Sequence, residues 1–209
     1  MRKIGIMGGT FNPIHMGHLA LGEYVMDELA LDEVWYVPTG CSYMKSNIEI
    51  VQPMERYEMT RLAVLGNDRM RCMDVEIRRE GYTYTYETLE QLTESYPDCS
   101  FYFIYGADCL FEMENWRCPE RIFARCTIVA CTRNGASIEK MQEKIAELEK
   151  RYQSRIRLLP FYNLEISSTE LRERIASGKS VRYLIPDQVI SYIEEKGFYQ
   201  NEVEGFEKD

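Results

Sequence analysis

An α/β protein with a parallel sheet is predicted by three features of the sequence. Short β-prone runs alternate with helical stretches along the whole chain, no internal repeat or linker interrupts them, and the first apolar run passes through Gly8-Gly9 straight into a helix. Parallel neighbours need crossover connections, and helices supply them with right-handed geometry. The 209 residues are enough for one substantial core, so a single domain over residues 1–200 is expected, with 201–209 as an acidic tail that frays.

Lys3 to Met7 reads as the first strand, and Gly8 to Leu19 as a tight turn entering a helix that continues through Met26. Glu33 to Pro38 reads as a second, buried strand. Thr39 to Gln52 follows as a long loop rich in turn formers, the kind of segment that carries function. Pro53 suits a first helical position, and Met54, Tyr57, Met59, Leu62, Ala63 and Leu65 predict the buried face of a helix to about Gly66, with Arg56 and Arg61 in solvent. Met70 to Ile77 is expected to be the third strand. Thr85 stands at the start of the next helix, where a hydroxyl suits the N-cap.

Ser100 to Tyr105 is strongly β-prone and predicts a central strand, after which Asp108 is placed to accept hydrogen bonds from ribose hydroxyls, to cap the next helix, or to do both. Thr127 to Cys131 is a further short strand, and Arg133-Asn134-Gly135 a turn. Alternating charges with spaced apolar residues predict a solvated amphipathic helix from Ile138 to Tyr152, and Ile156 to Pro160 closes the sheet. Ile166 to Arg172 brings hydroxyl residues into a helix start with Ser168 as its cap, and Tyr183 to Tyr199 holds the closing helix.

The chemistry gathers at two of these helix starts. Gly8 and Gly9 let a ligand approach the backbone closely, and His15 and His18, the only histidines, face one side of an opening helical turn beside unpaired N–H groups. Two histidines and seven cysteines without CxxC spacing do not make a metal site, and no Gly-Lys-Ser or Gly-Lys-Thr follows the glycines, so a Walker A loop is excluded. An anion site with two imidazoles remains. At the second start, Ser168, Thr169 and Arg172 with helix N–H groups form another phosphate cradle.

A net charge of −9 excludes a surface built to coat nucleic acid, which points to a small ligand held by local positive groups. The odd cysteine count suits reduced, mostly buried thiols. No apolar stretch is long enough to span a bilayer, and the early core strand leaves no space for a signal peptide, so a cytoplasmic protein is expected.

GGTFNPIHMGHL resembles the HxGH signature of the nucleotidyltransferase superfamily, and among its members bacterial nicotinate mononucleotide adenylyltransferase most closely. The resemblance continues through Thr85, the Gly106-Ala107-Asp108-Cys109-Leu110 run with Trp116 downstream, and the ISSTELR segment. It implies a Rossmann-like parallel sheet with helices on both faces and C-terminal helices, and the transfer of AMP from ATP to nicotinate mononucleotide with release of pyrophosphate. It also implies His15, His18, Lys45 and Arg172 as catalytic groups. ATP would meet Gly8, Gly9, Thr10, Phe11, His18, Gly106, Asp108, Ile166, Ser168, Thr169 and Arg172. Nicotinate mononucleotide would meet Thr85, Trp116 and Arg133, and Mg²⁺ would accompany ATP. The chain departs from the family at one position and one stretch: Asn12 stands where Asp is common, and Cys41 to Met44 replaces the usual approach to Lys45. A different phosphorylated acceptor, such as nicotinamide mononucleotide or pantetheine phosphate, or a nucleotide-binding regulator without turnover, are the alternatives. Ligands are expected at the carboxyl ends of the strands, where Gly8, Pro38 and Gly106 fall.

Overall fold

The computed structural model describes residues 1–41, 51–132, 138–161 and 164–200, and the side chain of Asp108 lies outside that description. Six strands form one sheet: β1 (Arg2–Gly9), β2 (Glu33–Pro38), β3 (Met70–Cys72), β4 (Cys99–Gly106), β5 (Cys126–Thr132) and β6 (Ile156–Pro160). Every pairing is parallel, in the order β3-β2-β1-β4-β5-β6. This is the Rossmann-like order, with a crevice between β1 and β4 where the direction of strand addition reverses.

Side chains alternate across the sheet with period two. Ile4 and Ile6 of β1 join Trp35, Val37, Phe101 and Phe103 in one core, while Met7 joins Val34, Tyr36 and Ile104 in another. Helices α3 (Thr85–Ser95), α4 (Pro119–Arg125) and α5 (Ile138–Tyr152) cover the first face. The second is covered by α1 (Met16–Glu28), α2 (Pro53–Val64), α6 (Ser168–Ala176) and α7 (Asp187–Lys196). Because the helices change face where the sheet changes direction, all its crossovers share one hand. Packing of α1 on β2 depends on Gly22, since a Cβ there would lie 2.1 Å from the buried Tyr36 hydroxyl. That hydroxyl donates to the His18 carbonyl at 3.3 Å, so the close approach also steadies the start of α1.

Four expectations are corrected by long-range packing. The third strand stops at Cys72 instead of Ile77. Among the described residues it pairs only with β2, and beyond Met73 the chain turns so that Glu76 is buried, accepting a hydrogen bond from Thr88 Oγ1 at 2.8 Å. On α2, Met54 and Leu65 are exposed and Arg56 is buried at 2% exposure, so the predicted apolar face is rotated. The cap of α3 is Tyr84, with Thr85 one position inside the helix. The cap of α6 is Ser167, whose Oγ accepts from the Glu170 N–H at 3.1 Å.

Candidate active site

The carboxyl ends of β1, β4 and β5 open into a cavity of about 550 Å³, floored by Gly8, Gly9 and Gly106 and walled by α1 and α6. The crevice is where topology places ligands in open α/β sheets. Of the residues expected to meet ATP, Gly8, Gly9, Thr10, Phe11, His18, Gly106, Ile166, Ser168, Thr169 and Arg172 all line it, and so does His15. Lys45 and Arg133 lie outside the described residues, and the Asp108 backbone enters a 3₁₀ turn, Ala107–Phe111, capped by Gly106.

The two histidines are built by one short segment. His15 is the N-cap of α1, in extended backbone, and its ring lies 3.7 Å from that of His18 with 31° between the planes. Gly17 makes this contact possible, because a Cβ there would meet the His15 ring at 3.1 Å. The His15 N–H donates to His18 Nδ1 at 3.3 Å. A backbone N–H can only donate, so neutral His18 carries its proton on Nε2 and offers a donor to an anion. Phe11, at φ +48°, sets its ring edge-on to His18 at 5.0 Å.

His15 is the more buried partner, and burial pushes its imidazolium down to about 4. It is therefore neutral at pH 7 and does not repel His18. Its Nδ1 is buried without a protein partner among the described residues, while the neighbouring His18 N–H donates to the His15 carbonyl at 3.0 Å. Since the folded pKa lies below the unfolded value, stability from this group is complete above the unfolded pKa and falls as pH drops toward 4. We expect about 2 kcal/mol of folding free energy to be lost between pH 7 and pH 5 from this residue. Urea titrations should show it, and His15→Gln should remove that part of the pH dependence.

Across the cavity, Arg172 donates from Nη1 to the Asn12 carbonyl at 2.9 Å and from Nη2 to Thr169 Oγ1 at 3.3 Å. These two contacts leave three of its five N–H groups for an anion. Ser168 differs from expectation: its hydroxyl proton goes to the Pro13 carbonyl at 2.9 Å, so it steadies the 12–13 segment and does not donate to phosphate in this arrangement. Thr169 accepts from Arg172 and keeps its own proton for a ligand.

Two site features escaped sequence reasoning. Buried Asn12 accepts at Oδ1 from the Tyr199 hydroxyl at 2.7 Å and from the Val51 N–H at 3.3 Å. Tyr199, at φ +62°, thus ties the chain's C-terminal segment to the loop that lines the cavity at Thr10, Phe11 and Asn12. The departure from Asp at position 12 was the available signal, but nothing local points to a partner 187 residues away. Arg56 is the second.

Thr85 and Trp116 are not among the residues lining the cavity. Trp116 is edge-on to Phe103 at 6.2 Å and tilted against Tyr105, itself a cavity residue, at 6.3 Å. The two acceptor candidates among the described residues therefore lie outside the lining of this cavity.

A Rossmann-like sheet with a paired HxGH start and a facing arginine defines a nucleotidyltransferase. The cytidylyltransferase-like family matches residues 6–174. A protein of Lachnoclostridium phytofermentans named probable nicotinate-nucleotide adenylyltransferase is 44% identical over 95% of this chain and 100% of its own. One of that name from Corynebacterium glutamicum is 42% identical over 99% of this chain and 92% of its own. The chain belongs to the nicotinate-nucleotide adenylyltransferase family. Its fold matches that of Plasmodium falciparum nicotinic acid mononucleotide adenylyltransferase complexed with NaAD, at TM-score 0.77 and 22% identity over 95% of this chain and 98% of that one.

Proposed function

We propose that the protein transfers AMP from ATP to nicotinate mononucleotide, giving nicotinate adenine dinucleotide and pyrophosphate. The observation that carries this reading is the facing pair of His18, with its proton set on Nε2, and Arg172 across a cavity at the β1/β4 crevice. Relatives sharing 42–44% identity over nearly the full chain support the choice of acceptor.

The acceptor's phosphate oxygen attacks the α-phosphorus of ATP, an O–P bond forms, and the bond from that phosphorus to the pyrophosphate oxygen breaks. An ionised phosphate needs no general base, so the protein's part is alignment and neutralisation of charge. His18 Nε2–H serves the transferred phosphoryl group, with neutral His15 stacked behind it. Arg172, Thr169 and Lys45 serve the departing pyrophosphate, and Gly106 and Asp108 the ribose. Thr85, Trp116 and Arg133 are assigned to the acceptor.

Among the described residues no group of three or more His, Cys, Asp or Glu could hold a metal ion. Mg²⁺ is assigned to the triphosphate it enters with, as suits a small cation that keeps its waters and binds substrate phosphates. Among those residues, too, no helix is long and apolar enough to cross a membrane.

Pyrophosphate release should be measured with ATP and a panel of acceptors: nicotinate mononucleotide, nicotinamide mononucleotide and pantetheine phosphate. Nicotinate mononucleotide should give the highest kcat/KM, because the N–H groups opening α3 favour a carboxylate over a neutral amide. We expect a preference on the order of 10-fold or more over the carboxamide, the scale of one charge-assisted hydrogen bond. Equal use of both would replace this reading with a dual-acceptor enzyme, and binding without turnover would replace it with a regulator.

A further inference from the structure

We propose that Arg56 is a positioning residue of the nucleotide site, holding the ends of β1 and β2 so that their carbonyl oxygens are drawn away from the triphosphate. The inference rests on the nucleotide reading given above.

Arg56 sits in the first turn and a half of α2, and only 2% of it is exposed. Its Nε donates to the Val51 carbonyl at 2.9 Å and its Nη1 to the Thr10 carbonyl at 2.7 Å. Its Nη2 donates to the carbonyls of Thr39 at 2.6 Å and Gly40 at 3.0 Å. Four of five N–H groups thus meet backbone oxygens from three segments, and no carboxylate within 4.0 Å pairs with it among the described residues.

A buried cation with no carboxylate in ion-pair range, attracted at longer distance by the buried Glu76, is an expensive way to join backbone segments, since desolvation costs several kcal/mol. The segments it joins explain why the charge is there. Thr10 lines the nucleotide cavity directly after Gly9, and Thr39 N–H donates to the Gly9 carbonyl at 2.8 Å, so the exits of β1 and β2 move together. Residues 39–40 and 51 flank the segment that carries Lys45.

A carbonyl oxygen facing a triphosphate repels it, whereas the N–H of the same peptide attracts it. In a trans peptide the two point in opposite directions. With the Thr10 oxygen held by Arg56, the Phe11 N–H is directed away from Arg56. The guanidinium fork suits this task, because a lysine ammonium is a point charge that does not reach four oxygens in one plane.

The test is Arg56→Lys, with ATP binding measured by titration calorimetry in the absence of any acceptor. We expect ATP affinity to fall about tenfold or more, the scale of a lost charge-assisted contact. In kinetics, KM for ATP should rise while KM for nicotinate mononucleotide stays within about twofold of wild type, a split that general destabilisation does not produce. A folded Arg56→Lys protein with wild-type ATP affinity overturns the proposal while leaving the functional reading intact. Wild-type protein that binds no ATP overturns both. Where Arg56→Lys does not fold, Arg56→Ala is refolded with guanidinium chloride at low millimolar concentration. Recovery of ATP binding together with folding supports the proposal, and recovery of folding alone overturns it.

Discussion

His18→Ala should lower kcat by roughly two to four orders of magnitude, a loss of about 3 to 5 kcal/mol of transition-state stabilisation, while the protein remains folded. The expectation follows from one hydrogen bond. Because His15 N–H occupies His18 Nδ1, neutral His18 carries its proton on Nε2, the donor that the proposed reading assigns to the phosphoryl group. Charge develops on the non-bridging and leaving oxygens as the bond to pyrophosphate breaks, and a fixed donor in a partly enclosed cavity is worth most at that moment. His18 also helps close the first turn of α1, so the alanine variant removes two things at once. A pair of substitutions separates them. His18→Asn keeps an acceptor near the Nδ1 position and lacks the distal donor, whereas His18→Gln reaches the Nε2 position. Steady-state pyrophosphate release should rank glutamine above asparagine, and thermal unfolding should rank them the other way. If asparagine retains most of the turnover, the histidine caps the helix and does no chemistry.

Arg172→Ala should lower kcat/KM for ATP by about 100- to 1000-fold, more than a single neutral hydrogen bond accounts for. The guanidinium holds the 12–13 loop as well as lining the cavity: it donates to the Asn12 carbonyl, while Ser168 on the same helix donates to the Pro13 carbonyl. Removing it takes away positive charge and unpins the loop that leads into His15. Arg172→Lys keeps the charge and loses the fork, so it should recover only part of the loss. Raising Mg²⁺ should not rescue either variant, because the metal neutralises phosphate oxygens without restoring the loop. Activity of Arg172→Ala within about threefold of wild type, on the scale of an exposed charge contact, would mean that the arginine serves only α6.

The order of strands and helices was legible because each element buries its own face with its own period. Glu33–Pro38, Ile138–Tyr152 and Ile156–Pro160 appear with the limits that their patterns predict. The HxGH pair was legible for a related reason, since residues three apart at a helix start face one way whatever surrounds them. Two imidazoles beside a Gly-Gly turn, in a chain without other histidines, are the basis for expecting an anion site.

What only the tertiary structure decided depends on partners distant in the chain. Arg56 reads as a surface residue because arginine on a helix is usually solvated, yet carbonyls from the ends of two strands converge on it and make burial tolerable. Ser167 and Ser168 are both capping types, and their roles divide only because the Pro13 carbonyl, 155 residues earlier, comes within reach of Ser168. The third strand breaks after Cys72 because Glu76 finds Thr88 in the following helix. Asn12 is an unexplained substitution until Tyr199 returns from the far end of the chain to donate to it. Periodicity is a local property and survives in one dimension. The satisfaction of buried polar groups is settled by which distant segments the sheet brings together, and only the folded chain contains that information.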